Sequence, residues 1–213
     1  MEMSRLPWLG YHSPRQLLAE KFHMSESLPA ALNPHANFDQ AGTAITVANV
    51  APMPMDAKLA VRNTGAGSGS STDPGTTAGR VVVDKPHRRV LVYSADNRLV
   101  AFYPASIGST EKPAPTGTLV VRSITYDPNY TYNPAYAFKG QTAEHKVTMR
   151  PGPNNPVGLV WIGLSDKGYG IHGTPDPDQV GKAQSHGCVR LTNWDALALA
   201  RMVKRGTPVD FVG

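Results

Sequence analysis

The sequence predicts a mainly β protein with one principal helix near its C-terminal end, preceded by a small α/β module. Gly and Pro are frequent, with 20 and 19 residues among the 213, and such a composition favours short strands joined by turns over long helices. A chain of this length accommodates one ordinary domain with a smaller companion. We therefore expect a module over residues 11–51, a flexible linker over residues 62–79 and a main domain over residues 80–213.

The N-terminal module has the pattern of two short helices followed by a strand. Ser13 followed by Pro14 is a typical helix start, because the hydroxyl caps the helix and proline fits its first position. Ser25 is predicted to cap a second helix that ends at Asn33, and Ala44–Val47 is predicted to be a strand. The apolar residues of the two helices are Leu17, Leu18, Phe22, Leu28 and Leu32.

This module resembles a LysM module, a small βααβ carbohydrate-binding unit. The resemblance lies in residues 17–22, Ser25, residues 32–34 and residues 42–47, whereas the usual opening strand is shortened or missing before Pro14. It implies a peptidoglycan-binding module. A helical hairpin that only packs against the main domain is the competing interpretation.

Residues 62–79 are rich in Gly, Ser and Thr and almost free of apolar residues, which is typical of a flexible linker. The stretch Gly65–Gly69 does not predict a phosphate-binding loop. No apolar strand precedes it, no helix pattern follows it, and it contains no Gly-Lys-Ser/Thr.

Seven segments of the main domain are predicted to be strands, because they are rich in β-branched residues and several alternate apolar with polar positions. They are Arg80–Val83, Arg89–Tyr93, Leu99–Tyr103, Thr118–Ile124, Val157–Leu164, Gly170–His172 and Val209–Phe211. Thr192, followed three residues later by Asp195, predicts the start of the principal helix. Its apolar face consists of Trp194, Leu197, Ala198 and Met202.

Charge and cysteine content limit the classes of function. The net charge of +5 suits an anionic partner, but the basic residues are scattered, so we do not expect nucleic acid binding. The single cysteine, Cys188, excludes an intrachain disulfide. No segment has the roughly 20 apolar residues of a membrane span, and the start of the chain lacks a signal-peptide pattern.

Two segments near the single cysteine carry a candidate catalytic site. One is Tyr169–Thr174, which contains His172 and Gly173, and the other is Ser185–Leu191, which contains Cys188. A free thiol has a pKa of about 8.5 and is mostly protonated at neutral pH. A nearby imidazole either accepts its proton or holds the thiolate in an ion pair. We therefore predict that Cys188 is a nucleophile and that His172 is its base.

The residues around the thiol predict an oxyanion pocket and a substrate contact. Gly187 has no side chain and allows the amides of His186, Gly187 and Cys188 to point inward, toward a developing oxyanion. Arg190 is a candidate to bind a substrate carboxylate, and Tyr169 is a candidate hydrogen-bond donor. Structural roles remain open for two of these residues: Ser185 as the cap of a turn, and Arg190 as a salt-bridge partner.

The string His-Gly-Thr followed by Ser-His-Gly-Cys-Val-Arg-Leu resembles the signature of the L,D-transpeptidase catalytic (YkuD) family. The resemblance extends across residues 80–213. It includes residues 83–85, 115–117, 151–158 and 161–162. It implies a β-sandwich or barrel fold in which residues 80–213 are the catalytic domain.

The resemblance also implies the reaction. Cys188 attacks the peptide bond between meso-diaminopimelate and D-alanine in a tetrapeptide stem, D-alanine leaves, and an amine acceptor resolves the thioester. The acceptor is another stem, giving a 3-3 crosslink, or a lipoprotein lysine; water would make the enzyme a carboxypeptidase. The Gly173 carbonyl would orient the second ring nitrogen of His172. The implied partners are peptidoglycan stem peptides and glycan, carbapenems are the expected covalent inhibitors, and no cofactor is expected.

This chemistry belongs outside the inner membrane, so we expect a periplasmic or cell-envelope protein whose export signal is not in this chain. Two alternatives remain. His172, His186 and Cys188 are compatible with a zinc-dependent hydrolase, and a non-catalytic wall-binding protein is compatible with the LysM-like module.

One feature departs from the family pattern. Residues 124–150 form an insert rich in Tyr, Asn and Pro, whose aromatic side chains we expect either to cover the cleft or to form a satellite apolar cluster. Five histidines show no ligand spacing and are predicted to lie on the surface: His12, His23, His35, His87 and His145.

Overall fold

The computed structural model describes residues 3–53, 77–109, 112–132, 145–183, 185 and 187–213. It contains eleven strands and three α-helices in these ranges. The helices are α1 (Pro14–Lys21), α2 (Ser27–Leu32) and α3 (Asn193–Met202). The strands are β1 (Arg80–Asp84), β2 (Arg89–Tyr93), β3 (Leu99–Pro104), β4 (Ser106–Ile107), β5 (Gly117–Tyr126), β6 (Tyr130–Tyr132), β7 (Val147–Met149), β8 (Val160–Leu164), β9 (Gly170–His172), β10 (Val189–Arg190) and β11 (Pro208–Val212).

Nine of the strands form one curled sheet in the order β3-β2-β1-β11-β5-β8-β9-β10-β4. Only Ala105 separates β3 from β4, yet these strands lie at opposite ends of that order. The sheet must therefore bend until its two edges approach each other, as in a barrel. The mainly β fold that the sequence predicted is confirmed.

Alternating apolar residues build the interior of this sheet. Val81 and Val83 of β1 and Val90 and Val92 of β2 are fully buried, as expected for side chains that point to the same face. The helix α3 closes the core with Ala196, Leu197 and Leu199. Thr192 caps this helix through a hydrogen bond from the Asp195 amide to its side chain, as the sequence predicted.

The predicted strand over Val157–Leu164 is too long. β8 begins at Val160, because Gly158 turns the chain with a φ of +64° and its amide donates to the Asn155 carbonyl. The end of the predicted linker also belongs to the main domain. The Ala78 amide donates to the Met202 carbonyl, and the Gly79 amide donates to the Tyr93 carbonyl; residues 62–76 of the linker lie outside the described residues.

The N-terminal segment, residues 11–51, differs from the prediction in two places. α1 begins as expected after Ser13, whose hydroxyl accepts from the Gln16 amide. Ser25 is not the cap of α2; the N-cap is Glu26, without a side-chain hydrogen bond. Ala44–Val47 is not a strand, because the Asn33 amide group bonds both the N–H and the carbonyl of Thr46 and takes the place of a strand partner.

The N-terminal segment packs closely against the main domain. Ala19 and Met24 are buried, and the Gln16 amide group donates to the Asn154 side chain at 2.8 Å. His23 stacks on Trp194 of α3, with ring centroids 5.3 Å apart. The prediction that all five remaining histidines lie on the surface is therefore wrong for His23, which is half-buried; the other four are exposed. No helix of the described residues is long and apolar enough to span a membrane.

Candidate active site

His172 lies at the end of a strand that is paired on both sides. β9 runs antiparallel to β8 and parallel to β10, with His172 opposite Trp161 on one side and opposite Arg190 on the other. The His172 residue is only 6% exposed. The main-chain ladder therefore fixes the position of this imidazole from two sides.

The imidazole of His172 is held in one tautomer. Its Nδ1 lies 2.6 Å from the Gly173 carbonyl oxygen, and because a carbonyl only accepts, Nδ1 carries the proton. Nε2 then has a free lone pair. Burial lowers the pKa of His172 to about 4; the Gly173 hydrogen bond opposes this shift, and the charge of Arg190 adds to it. The ring is thus neutral near pH 7.

A tight turn places Cys188 at the start of β10. Gly187 has a φ of +97°, in the left-handed region that favours glycine. The Ser185 hydroxyl donates to the Cys188 carbonyl and accepts from the Gly108 amide at 2.6 Å. Ser185 therefore braces the turn against the chain that follows β4, which supports the structural role that the sequence left open.

The thiol of Cys188 is half-buried, and its pKa is raised. Its Sγ donates to the Gly168 carbonyl at 3.6 Å. Burial raises the pKa of Cys188, whereas a hydrogen bond from the Gly170 backbone and the charge of Arg190 lower it. Together with the lowered pKa of His172, the raised pKa of Cys188 favours a neutral thiol and a neutral imidazole over an ion pair.

Arg190 lies next to the thiol with unused donor capacity. Its Nε is buried and has no hydrogen-bond partner among the described residues. Burial lowers the pKa of Arg190, and the charges of Asp176 and Cys188 oppose this shift. A buried guanidinium donor without a partner is suited to binding a ligand carboxylate.

Two tyrosines border the thiol turn. A Cβ at position 187 would lie 3.0 Å from the Tyr169 ring, so Tyr169 packs on the glycine. Tyr130, in the insert, is close enough that a charged Cys188 contributes to raising the pKa of Tyr130, after the larger effect of burial. The start of the insert therefore borders the site, while residues 133–144, with Tyr136 and Phe138, lie outside the described residues.

Trp161 is a neighbour of His172 that the sequence did not predict. Its indole stacks on the His172 imidazole, with centroids 5.5 Å apart and planes 19° from parallel. A Cβ at Gly170 would collide with this ring, and a Cβ at Gly163 would lie 3.1 Å from the indole nitrogen. The sequence shows the two glycines, which leave room for a large ring. It does not show the strand register that brings these glycines to the indole.

The structure thus brings together most of the predicted site residues. These are Tyr169, His172, Gly173, Ser185, Gly187, Cys188 and Arg190. His186, predicted both as an oxyanion donor and as a zinc ligand, lies outside the described residues. Among the residues that are described, no three His, Cys, Asp or Glu side chains are arranged to hold a metal ion.

Comparison with known proteins points to one family. Residues 78–211 match the family model of the YkuD L,D-transpeptidase catalytic domain. The chain is 34% identical over 138 residues to a putative L,D-transpeptidase YkuD of Bacillus licheniformis, covering 65% of this chain and 68% of that protein. It is 33% identical over 146 residues to the probable L,D-transpeptidase YbiS of Escherichia coli K12, covering 65% of this chain but only 46% of that protein.

The fold has the same relatives. The crystal structure of L,D-transpeptidase 3 from Mycobacterium tuberculosis, in complex with a faropenem-derived adduct, superposes with a TM-score of 0.52. The superposition covers 65% of this chain and 61% of that chain, at 20% identity. An L,D-transpeptidase from Mycobacterium smegmatis gives a TM-score of 0.51 at 22% identity, over 65% of this chain and 60% of that one.

Proposed function

The chain belongs to the YkuD family of L,D-transpeptidase catalytic domains, and on this premise we propose that it transfers peptidoglycan stem peptides through a thioester on Cys188. His172 is the base, and Gly173 orients it. The observation that carries this proposal is the hydrogen bond from His172 Nδ1 to the Gly173 carbonyl, because it leaves Nε2 free to accept the thiol proton.

Acylation begins with two neutral partners. The thiol rotates from the Gly168 carbonyl toward the imidazole, Nε2 takes its proton, and Sγ attacks the carbonyl carbon between meso-diaminopimelate and D-alanine. The Gly187 and Cys188 amides, with that of His186, receive the oxyanion. The imidazolium then gives its proton to the amine of D-alanine, the C–N bond breaks, and a thioester remains.

Deacylation reverses these proton transfers. Nε2 takes a proton from the acceptor amine, the amine attacks the thioester, and the thiol is restored with that proton. The acceptor is the diaminopimelate amine of another stem, which forms a 3-3 crosslink, or the lysine of a protein; water gives a carboxypeptidase. Among the described residues the Nε of Arg190 has no partner, which supports a carboxylate contact to the stem, and Tyr169 supplies a further polar contact.

The same thiol should react with carbapenems. The thiolate would open the β-lactam ring, breaking the C–N bond and leaving an acyl-thioester that water removes slowly. The faropenem-derived adduct on the structurally similar mycobacterial enzyme supports this reactivity. The site of action that fits this substrate is the cell envelope, in the periplasm.

Glycan binding by the N-terminal segment is a separate proposal. A cavity of about 560 Å³ lies beside α1 and is lined by Phe22, Phe38, Ile45, Lys21 and others. Aromatic rings beside a basic side chain are suited to the faces of sugar rings and to anionic groups. Isothermal titration with N-acetylglucosamine oligomers tests this proposal. The wild-type protein should give binding heat and Phe22→Ala should give none; a wild-type protein without binding heat would contradict the proposal.

Mass spectrometry of the intact protein tests the acyl transfer. After incubation with a disaccharide-tetrapeptide, and separately with a carbapenem, we expect an adduct on Cys188 and free D-alanine from the tetrapeptide. The Cys188→Ala variant is the control and should show neither. Turnover that survives in this variant, or that is lost on chelation with EDTA, would exclude the thiol mechanism and favour the zinc hydrolase.

A further inference from the structure

A buried amide side chain packs against the residue that holds the base. Asn193, the first residue of α3, is 1% exposed. Its Oδ1 accepts from the Leu159 amide at 3.1 Å, and a Cβ at Gly158 or Gly173 would overlap this oxygen. The Asn193 amide group therefore fills the space beside the Gly173 backbone, whose carbonyl binds His172.

The orientation of this amide is set from the N-terminal segment. Asn193 Nδ2 donates to Glu20 Oε1 of α1 at 2.9 Å and to the Pro153 carbonyl at 3.2 Å. Glu20 is 4% exposed and also accepts from the Tyr11 hydroxyl at 3.0 Å. Both acceptors fix the NH₂ end of the amide, so its oxygen must face Leu159 and Gly173.

We propose that Glu20 and Asn193 are positioning residues, through which the N-terminal segment holds the Gly173 carbonyl and thereby the tautomer and orientation of His172. This proposal rests on the acyl transfer proposed above, because it concerns the base of that reaction. Glu20 and Asn193 lie 173 residues apart in sequence, so their contact makes residues 11–24 part of the active enzyme. This role is separate from any role in binding glycan.

The physical reason is the lack of side chains at Gly158 and Gly173. The two glycines leave a gap into which the Asn193 oxygen fits, and a peptide next to an unfilled gap relaxes into it. If the amide group turns or shifts, the Gly173 peptide is free to follow. A displaced carbonyl lengthens its bond to Nδ1, and the imidazole then loses its single tautomer.

The charge of Glu20 is secondary to its acceptor oxygen. Burial raises the pKa of Glu20 to about 7, against the opposing hydrogen bonds from Asn193 and Tyr11. Both protonation states present an oxygen to Asn193 Nδ2. Glutamine also presents one, so Glu20→Gln should preserve the link, whereas Glu20→Ala should break it. The cleft beside Glu20 is lined by further carboxylates, those of Glu26, Asp176 and Asp178.

The test is alkylation of Cys188 by iodoacetamide across pH 5–10, with the full chain and without any peptidoglycan substrate. Loss of the link should slow alkylation of Glu20→Ala at neutral pH by about tenfold or more, because misplacement of a catalytic group by about 1 Å costs up to about a hundredfold. Glu20→Gln should stay within about twofold of wild type, in line with the retained acceptor.

A matched control removes a different contact between the same two parts. His23→Asn deletes the ring that stacks on Trp194, and asparagine tolerates the φ of +56° at this position. It should lower the melting temperature but leave the alkylation profile unchanged. Imidazole ¹⁵N spectra give a second measurement: His172 should show one neutral tautomer in wild type and Glu20→Gln, and a mixture in Glu20→Ala.

An unchanged alkylation profile and a single His172 tautomer in Glu20→Ala would overturn the proposal and leave Glu20 only a role in stability. If Glu20→Ala does not fold, Glu20→Leu, which fills the site without an acceptor, is judged by the same criteria. Failure of wild type to release D-alanine would contradict the proposed acyl transfer but not this positioning, since alkylation needs no substrate.

Discussion

The catalytic domain and the N-terminal segment position their important side chains by different kinds of hydrogen bond. In the domain, His172 lies on a strand paired on both sides, so main-chain hydrogen bonds position it. In the N-terminal segment, side chains do this work: Asn33 bonds Thr46, Gln16 bonds Asn154, and Glu20 bonds Asn193.

The two regions should therefore differ in how they respond to substitution and to pH. A main-chain ladder survives most substitutions, because every residue supplies the same donor and acceptor. A side-chain contact is lost with one substitution, and a buried carboxyl such as Glu20 also responds to pH. Substitutions of site residues in the sheet should therefore change catalysis and leave the sheet intact. Substitutions in the N-terminal segment should change stability, or change catalysis through Asn193.

The largest effect is expected from the base itself. His172→Ala should lower the rate of D-alanine release by about 10²–10⁴-fold, the usual contribution of a general base. The rate is measured with a disaccharide-tetrapeptide, and circular dichroism checks that the sheet is intact. A comparable loss from His23→Asn, which touches only the docking surface, would break the distinction between the two regions.

The next effect concerns stability and pH. The pKa of Glu20 is raised to about 7, so its stabilising contribution is complete below the unfolded pKa of about 4.3 and is lost as pH rises through 7. The wild-type free energy of unfolding should therefore fall by about 3 kcal/mol between pH 4 and pH 8, because the pKa of Glu20 is about two to three pH units higher in the folded than in the unfolded chain.

Urea unfolding of wild type and Glu20→Gln at pH 5 and pH 8 measures this loss. Glutamine does not ionise, so the difference between pH 5 and pH 8 should be smaller in the variant by most of that amount, about 2.5 kcal/mol. An identical difference in both proteins would mean that Glu20 titrates as it does in the unfolded chain, and would make the docking as insensitive to pH as the sheet.

A pH profile of the reaction tests the buried base. In the proposed mechanism His172 acts as a base only when it is neutral, and its pKa is lowered to about 4. The value of kcat/KM should therefore remain on its plateau as pH falls from 7 to 5 and decline only near pH 4. A base with the ordinary pKa of about 6.5 would instead lose about 30-fold at pH 5.

The smallest effect is expected at the thiol turn. Gly187→Ala should cost about 1–2 kcal/mol in stability, because the left-handed conformation is unfavourable for a residue with a Cβ, and it should also slow acylation, because the new methyl group meets Tyr169. Gly181→Ala is the matched control: its φ is +77° with open space around a Cβ. Gly181→Ala should lose similar stability and keep its activity. Equal acylation rates in the two variants would contradict the prediction that a methyl group at position 187 disturbs the site.

Local pattern predicted the parts of the molecule whose structure depends on near neighbours. The strands β2 and β9 and the helix after Thr192 were predicted within a residue, because alternation and capping act over a few positions. His172 and Cys188 were singled out by residue type and spacing. Their roles remain predictions, and the pairing of β9 with β10, which begins directly after Cys188, supports them.

The pattern failed where a distant group took over the backbone. Ala44–Val47 has the composition of a strand, but Asn33 satisfies Thr46. Val157–Leu159 was apolar enough for a strand, yet the Leu159 amide bonds Asn193, 34 residues away. Neither partner has a sequence signal, because a side-chain amide bonds whichever backbone group the fold brings to it.

The sequence by itself determined seven of the eleven described strands, the principal helix, and the imidazole and thiol as the candidate pair, since short-range sterics and side-chain chemistry depend on consecutive residues. Only the tertiary structure decided that Trp161 covers the base, that the Gly173 carbonyl lies against Asn193, and that Glu20 reaches this asparagine across 173 residues. Burial and long-range contacts arise when the sheet curls and the N-terminal segment docks, and burial also lowers the pKa of His172.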